Sequence, residues 1–143
     1  MGGYPGQPLS LSLAHDGRYL ATSGGTRPVC WRFDPPGGQG NANQQPTECA
    51  MASKTPVTCV SFHPRQSLIA AGYYNGAVVL CQPGNSAALF IKGSGGGAVN
   101  ALAWSGDGSR LAFGTQGGTV GWLLLPAALF RSSAKVPVQE TMQ

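Results

Sequence analysis

Charge is scarce in this chain: Asp, Glu, Lys and Arg together make up only 10% of its 143 residues. The acids are Asp16, Asp34, Glu48, Asp107 and Glu140. Asp16 and Asp107 fall in Asp-Gly turns at equivalent places in separate units, so they do not converge as an acid–base pair would. Histidine is rarer still, with His15 and His63 each beside a turn. No Gly-x-Ser-x-Gly elbow is present, and no glycine run leads into Lys-Ser/Thr, which removes the phosphate-loop reading. The cysteines Cys30, Cys49, Cys59 and Cys81 show no C-x-x-C pair, which removes a zinc knuckle or a dithiol redox motif. These absences point away from an enzyme and predict no catalytic residue, no metal and no cofactor.

The basic residues run singly from Arg18 to Lys135 and give a net charge of +4 without forming a cluster. A mildly basic solvated surface accounts for them, and a nucleic-acid-associated role stays as an alternative. The apolar run around Leu123–Leu125 is far too short to span a bilayer. The opening Met1-Gly2-Gly3-Tyr4-Pro5 has neither the charged nor the apolar part of a secretion signal, and position six lacks the Ser or Thr of a myristoylation motif. A cytoplasmic chain is therefore expected, nuclear as well in a eukaryote, with reduced cysteines that act as small hydrophobes.

Turn formers are plentiful, with 22 glycines and 11 prolines. That favours many short strands over helices. Residues 13–32, 62–81 and 104–123 align without a gap at offsets of 49 and 42. Leu13, Phe62 and Trp104 open the copies, Leu20-Ala21, Ile69-Ala70 and Leu111-Ala112 follow, and Trp31, Leu80 and Trp122 fall together near the end. The strand opening each copy alternates with period two. Leu9, Leu11 and Leu13, then Thr58, Val60 and Phe62, then Asn100, Leu102 and Trp104 form its bulky side. Pro8, Ser10 and Ser12, then Val57, Cys59 and Ser61, then Val99, Ala101 and Ala103 form its small side. Such a strand suits stacked sheets with unequal gaps on their two sides.

Hairpin turns follow at His15-Asp16-Gly17, Pro64-Arg65-Gln66 and Gly106-Asp107-Gly108, and again at Gly24 to Arg27, Tyr73 to Gly76 and Thr115 to Gly118. A fourth strand is expected at about Glu48 to Ser53, at Ala87 to Lys92, and in the third copy at Ala127 to Arg131. Residues 35–46, rich in Gly, Pro, Asn and Gln, read as a flexible loop inserted in the first copy. The predicted architecture is all-β: four-stranded antiparallel units over about 8–53, 57–92 and 99–131, with tails at 1–7 and 132–143.

Four short strands per unit at this period mark a propeller blade. The stretch from Val99 to Ala112, followed by Gly118-Thr119-Val120-Gly121-Trp122, resembles a WD40 repeat. The resemblance runs from about Pro8 to Leu125. The family's Trp-Asp pair is replaced by Trp31-Arg32, Leu80-Cys81 and Trp122-Leu123. Its Gly-His pair is missing, and its turn aspartate is replaced by Thr26, Asn75 and Gly117. The blades are then expected to rest on apolar packing and backbone ladders, since a lone member of that buried network would be left unsatisfied.

The resemblance implies a partial WD40-like propeller that scaffolds protein or peptide partners without catalysis. It also implies a contact rim formed by the turns between second and third strands, with Arg27, Tyr73, Tyr74, Asn75 and Gln116 as the candidate partner-binding residues. Closed propellers have four to eight blades. A piece of a longer protein is thus expected, the alternatives being closure by self-association or by a partner, or a non-catalytic piece of a propeller enzyme.

Overall fold

A computed structural model describes residues 10–23, 25–32, 46–49, 54–85 and 87–125. Among the described residues every regular element is a strand. The first sheet holds β1 (Leu11–Leu13), β2 (Tyr19–Thr22), β3 (Val29–Arg32) and β4 (Pro46–Glu48). The second holds β5 (Val57–Phe62), β6 (Ile69–Tyr73), β7 (Val78–Cys81) and β8 (Ala88–Lys92). The third holds β9 (Val99–Trp104), β10 (Arg110–Thr115) and β11 (Val120–Leu124). Each sheet is an antiparallel meander in which neighbours in sequence are neighbours in space. β8 lies where the sequence predicts it. β4 begins at Pro46, the last residue assigned to the inserted loop, rather than at Glu48. The expected strand at 127–131 lies outside the described residues.

The second sheet is the middle layer, and every residue of β6 and β7 is buried. Alternation explains how one sheet serves two interfaces. Val60, Phe62, Ile69, Ala71, Tyr73, Val79 and Cys81 pack with Ala21, Cys30 and Cys49 of the first sheet. Cys59, Ala70, Val78 and Leu80 pack with Val99, Leu111 and Leu125, flanked by Leu102, Trp104 and Phe113. Small residues let the backbones close in. Ser10 and Ser12 accept hydrogen bonds from the β5 amides of Val60 (3.2 Å) and Phe62 (2.9 Å). Trp104 Nε1 donates to the Ser61 carbonyl at 3.0 Å. In both interfaces the small side of one first strand faces the bulky side of the next, except at the start of β5 and β9. There register shifts turn Val57 toward the first sheet, Thr58 toward the third and Val99 toward the second, against the period-two expectation.

The gapless alignment fails at one point. Ala70 pairs across the ladder with Leu80 and Ala112 with Trp122, whereas Ala21 pairs with Cys30 and Leu20 with Trp31. The first copy is one residue shorter between its second and third strands. A one-residue slip turns a side chain to the opposite face. Trp31 therefore does not correspond to Leu80 and Trp122; Cys30 takes their place facing the next sheet, and the Trp31 indole Nε1 donates instead to Thr22 Oγ1 at 3.3 Å.

Candidate rim and comparison with known proteins

One rim of the stack is knitted by backbone hydrogen bonds between turns and inter-sheet linkers. Val57 N donates to the Gly25 carbonyl (2.7 Å), joining the linker before β5 to the β2–β3 turn. Tyr74 N donates to Pro56 O (2.8 Å), and Gly95 N donates to Asn75 O (2.8 Å). Gln116 N and Gly117 N then donate to Ala98 O (2.7 Å) and Gly96 O (2.9 Å). The series crosses all three sheets. Lys92 reinforces it, with Nζ donating to the carbonyls of Gly76 (2.8 Å), Gly93 (3.1 Å) and Gly95 (3.1 Å) while lying 5.6 Å from the Phe113 ring centre. Gly76 has φ of 98°, and a Cβ there would lie 2.2 Å from the Gly95 carbonyl oxygen. Both facts restrict the position to glycine.

All five candidate contact residues sit in or beside the turns of this rim, but they do not all face outward. Tyr74, Asn75 and Gln116 are exposed and Arg27 is half-buried. Asn75 Oδ1 accepts from Ala77 N at 3.0 Å, which fixes the turn that displays Tyr74. Tyr73 points inward into the layer between first and second sheets, where burial pushes its phenol up to about 12 and the nearby Arg27 charge opposes the rise. The alternation of β6 causes the split: Tyr73 is the last residue of the strand and Tyr74 the first of the turn. Lys92 escaped the sequence reading; its signal was a lone cation ending a strand just before a glycine-rich linker.

Beneath Tyr73 the same layer holds three thiols. Cys30 Sγ lies 3.2 Å from Cys49 Sγ, and Cys81 also contacts Cys49. Contact with Cys49, and then burial, holds Cys30 and Cys81 above the ordinary thiol range. All four cysteines are buried thiols. Among the described residues no group of three or more His, Cys, Asp and Glu is disposed to hold a metal ion.

The opposite rim is built from turns of a second kind. Asp16 Oδ1 accepts from Arg18 N (3.0 Å), and Asp107 Oδ1 accepts from Ser109 N (3.0 Å). In the second sheet His63 does that work, with Nδ1 accepting from Arg65 N (3.0 Å) and Gln66 N (3.1 Å). Its Nε2 then carries the proton and donates to the Gly108 carbonyl at 3.0 Å, pinning the second sheet to the third. The ring stands edge-on to Trp104, 4.7 Å between centres. A turn role alone, as the sequence suggests, understates His63.

Meander sheets stacked face to face, in sequence order and joined at their rims, define a β-propeller architecture. The family model of the WD domain, G-beta repeat, matches residues 47–81 and 87–121. The chain carries WD40 repeats. The matched spans start in β4 and just before β8, the last strands of the first two sheets, and end in the third strand of the next sheet, so each ties two sheets together covalently. The β-propeller domain of Cps50 (Swd1) from Myceliophteria thermophila is similar with a TM-score of 0.64 and 18% identity, over 87% of this chain and 40% of that one. Sqt1 from Chaetomium thermophilum is similar with a TM-score of 0.66 and 21% identity, over 93% of this chain and 34% of that one. At such identities the likeness establishes the fold. The chain spans well under half the length of either. No curated protein matches in sequence. WD40 propellers generally serve as scaffolds for protein interaction. Among the described residues no helix is long and apolar enough to cross a membrane.

Proposed function

We propose that this chain is a scaffold that binds a protein or peptide partner along the rim of the β2–β3, β6–β7 and β10–β11 turns, without chemistry of its own, in the cytoplasm and within a larger protein or complex. The blades are assigned to about 8–53, 57–92 and 99–131. The observation that carries the reading is the exposure of Tyr74, 61%, on a rim whose backbone is fixed by inter-sheet hydrogen bonds. A rigid aromatic on a pre-ordered surface loses little entropy on binding, which is what an anchor residue requires. Arg27, Asn75 and Gln116 supply donors and acceptors around it, and buried Tyr73 supports the turn from below.

The test places a photo-crosslinking amino acid at position 74 and, separately, at position 16 on the opposite rim. A discrete partner captured from 74 and not from 16, and lost in the Arg27→Ala, Gln116→Ala variant, supports the reading. Capture from 16 alone, or capture indifferent to that double substitution, refutes it.

A further inference from the structure

Three thiols meet between the first and second sheets, in an interface that this chain builds by itself. Cys30 belongs to β3, and Cys49 directly follows β4. Cys30 is paired with Thr47, and Cys49 N donates to the Pro28 carbonyl at 3.0 Å. The two cysteines therefore stand diagonally on neighbouring strands, and both point into the layer shared with the second sheet. Their sulfurs are 3.2 Å apart. From the second sheet, Cys81 of β7 also contacts Cys49. Hydrogen bonds from both neighbours hold the Cys49 thiol below its ordinary range. Cys59 is set apart, packed on the far side of the second sheet with Val99 and Leu111.

A thiolate is the form of cysteine that attacks an oxidant, and a neighbouring thiol converts the first product into a disulfide. We infer that Cys49 and Cys30 are a reversible oxidation site, which a peroxide closes into a disulfide. The Cys49 sulfur attacks one peroxide oxygen, the O–O bond breaks, and the departing hydroxide takes a proton from solvent to become water. Cys49 is then a sulfenic acid. The Cys30 sulfur attacks the Cys49 sulfur, the S–O bond breaks, and the second hydroxide leaves as water with the Cys30 proton. The two thiols together lose two electrons, and the peroxide is reduced to two waters.

Sheet geometry selects Cys30 over Cys81 as the partner. A disulfide joins Cα atoms about 4.4–6.8 Å apart, whereas stacked sheets lie about 10 Å apart, so a link from Cys49 to Cys81 requires two packed sheets to move. Diagonal neighbours within a sheet lie about 7–8 Å apart, so a link to Cys30 requires only a small shift of β4 toward β3. That shift strains the bond, and strained disulfides are the readily reduced ones. Access follows from the same strand. Cys30 and Cys49 have no exposed surface, but β4 is three residues long and lies at the edge of its sheet. Segments with so few contacts open locally at little free energy. Hydrogen peroxide is little larger than water and needs a smaller opening than an aromatic reagent.

The test treats the full chain, reduced and folded, with hydrogen peroxide, then unfolds it in denaturant with an alkylating agent present. Circular dichroism follows the fold during the oxidation. Alkylation is expected to fall from four thiols to two, and digestion to yield one linked pair, Cys30 with Cys49. Glutathione is expected to restore all four. In Cys81→Ala the link still forms, whereas in Cys30→Ser the Cys49 sulfenic acid persists and is captured by dimedone. Four alkylated thiols after peroxide treatment of the folded chain overturn the inference. So does a link between Cys49 and Cys81, or a link that forms only once the chain has unfolded.

Discussion

Gly72 lies in β6 with an ordinary strand backbone, and by general rules alanine there should be harmless or mildly stabilising through the unfolded chain. The tertiary structure reverses that expectation. A Cβ at this position would lie 2.5 Å from Val99 Cγ1, 2.6 Å from Val99 Cβ and 3.2 Å from Cys59 Sγ. Carbon atoms rest at about 3.5–4.0 Å, so the overlap is on the order of 1 Å. Val99 has no exposed surface and belongs to β9, and the overlap involves its Cβ as well as a side-chain tip. Relief requires the second and third sheets to move apart. Overpacking of this kind costs about 1–3 kcal/mol, from which the unfolded-state gain of roughly 0.4–1 kcal/mol is subtracted. Gly72→Ala is therefore expected to destabilise by about 1–2 kcal/mol, measured by urea unfolding followed by circular dichroism. Val99→Ala removes two methyl groups and costs about 2 kcal/mol with its cavity. In the double variant the contact with Val99 Cγ1 is gone while that with Cβ remains, so the clash is relieved in part and the loss falls short of the sum by roughly 0.5 kcal/mol. A Gly72→Ala chain as stable as wild type, or a strictly additive double variant, refutes the close-approach argument.

Two further outcomes follow from buried groups. Burial lowers the His63 pKa, helped by the charges of His15 and Arg65 and opposed by the Gly108 carbonyl and Asp107. The folded-state value lies below the unfolded one, so the stability it contributes is complete above about pH 6.5 and is lost as pH falls through that value toward the folded pKa. His63→Gln is expected to flatten the fall in melting temperature between about pH 7 and 5, and an unchanged pH dependence would count against the Nδ1 contacts. The thiols are expected to be inert to bulky reagents in the folded chain because all four are buried out of their reach; burial also pushes Cys59 up to about 11, and Cys30 and Cys81 are raised, whereas hydrogen bonding from Cys30 and Cys81 holds Cys49 below the ordinary thiol range. A chromogenic disulfide reagent should titrate all four cysteines only after unfolding, and rapid reaction in the native state would refute the burial of Cys30, Cys49 and Cys81 between the sheets.

Much of this architecture is legible without coordinates. Period-two alternation with Asp-Gly and glycine-rich turns dictates strands and hairpins locally, because pleat geometry and positive φ act on single residues and their neighbours. The same repeated pattern announces a stack, and the candidate rim turns follow from counting hairpins. The tertiary structure alone decided which face each side chain meets. The missing residue between β2 and β3 leaves the apolar pattern almost unchanged, yet it turns Trp31 away from the place of Leu80 and Trp122. Tyr73 and Tyr74 are identical in kind, and only the end of β6 sends one inward and the other to solvent. His63 and Gly108 are 45 residues apart, and nothing local foretells that a turn histidine will pin the next sheet. Local sequence determines the pleat and the turn, whereas contact between sheets depends on register and on distant backbone positions, which exist only once the layers have packed.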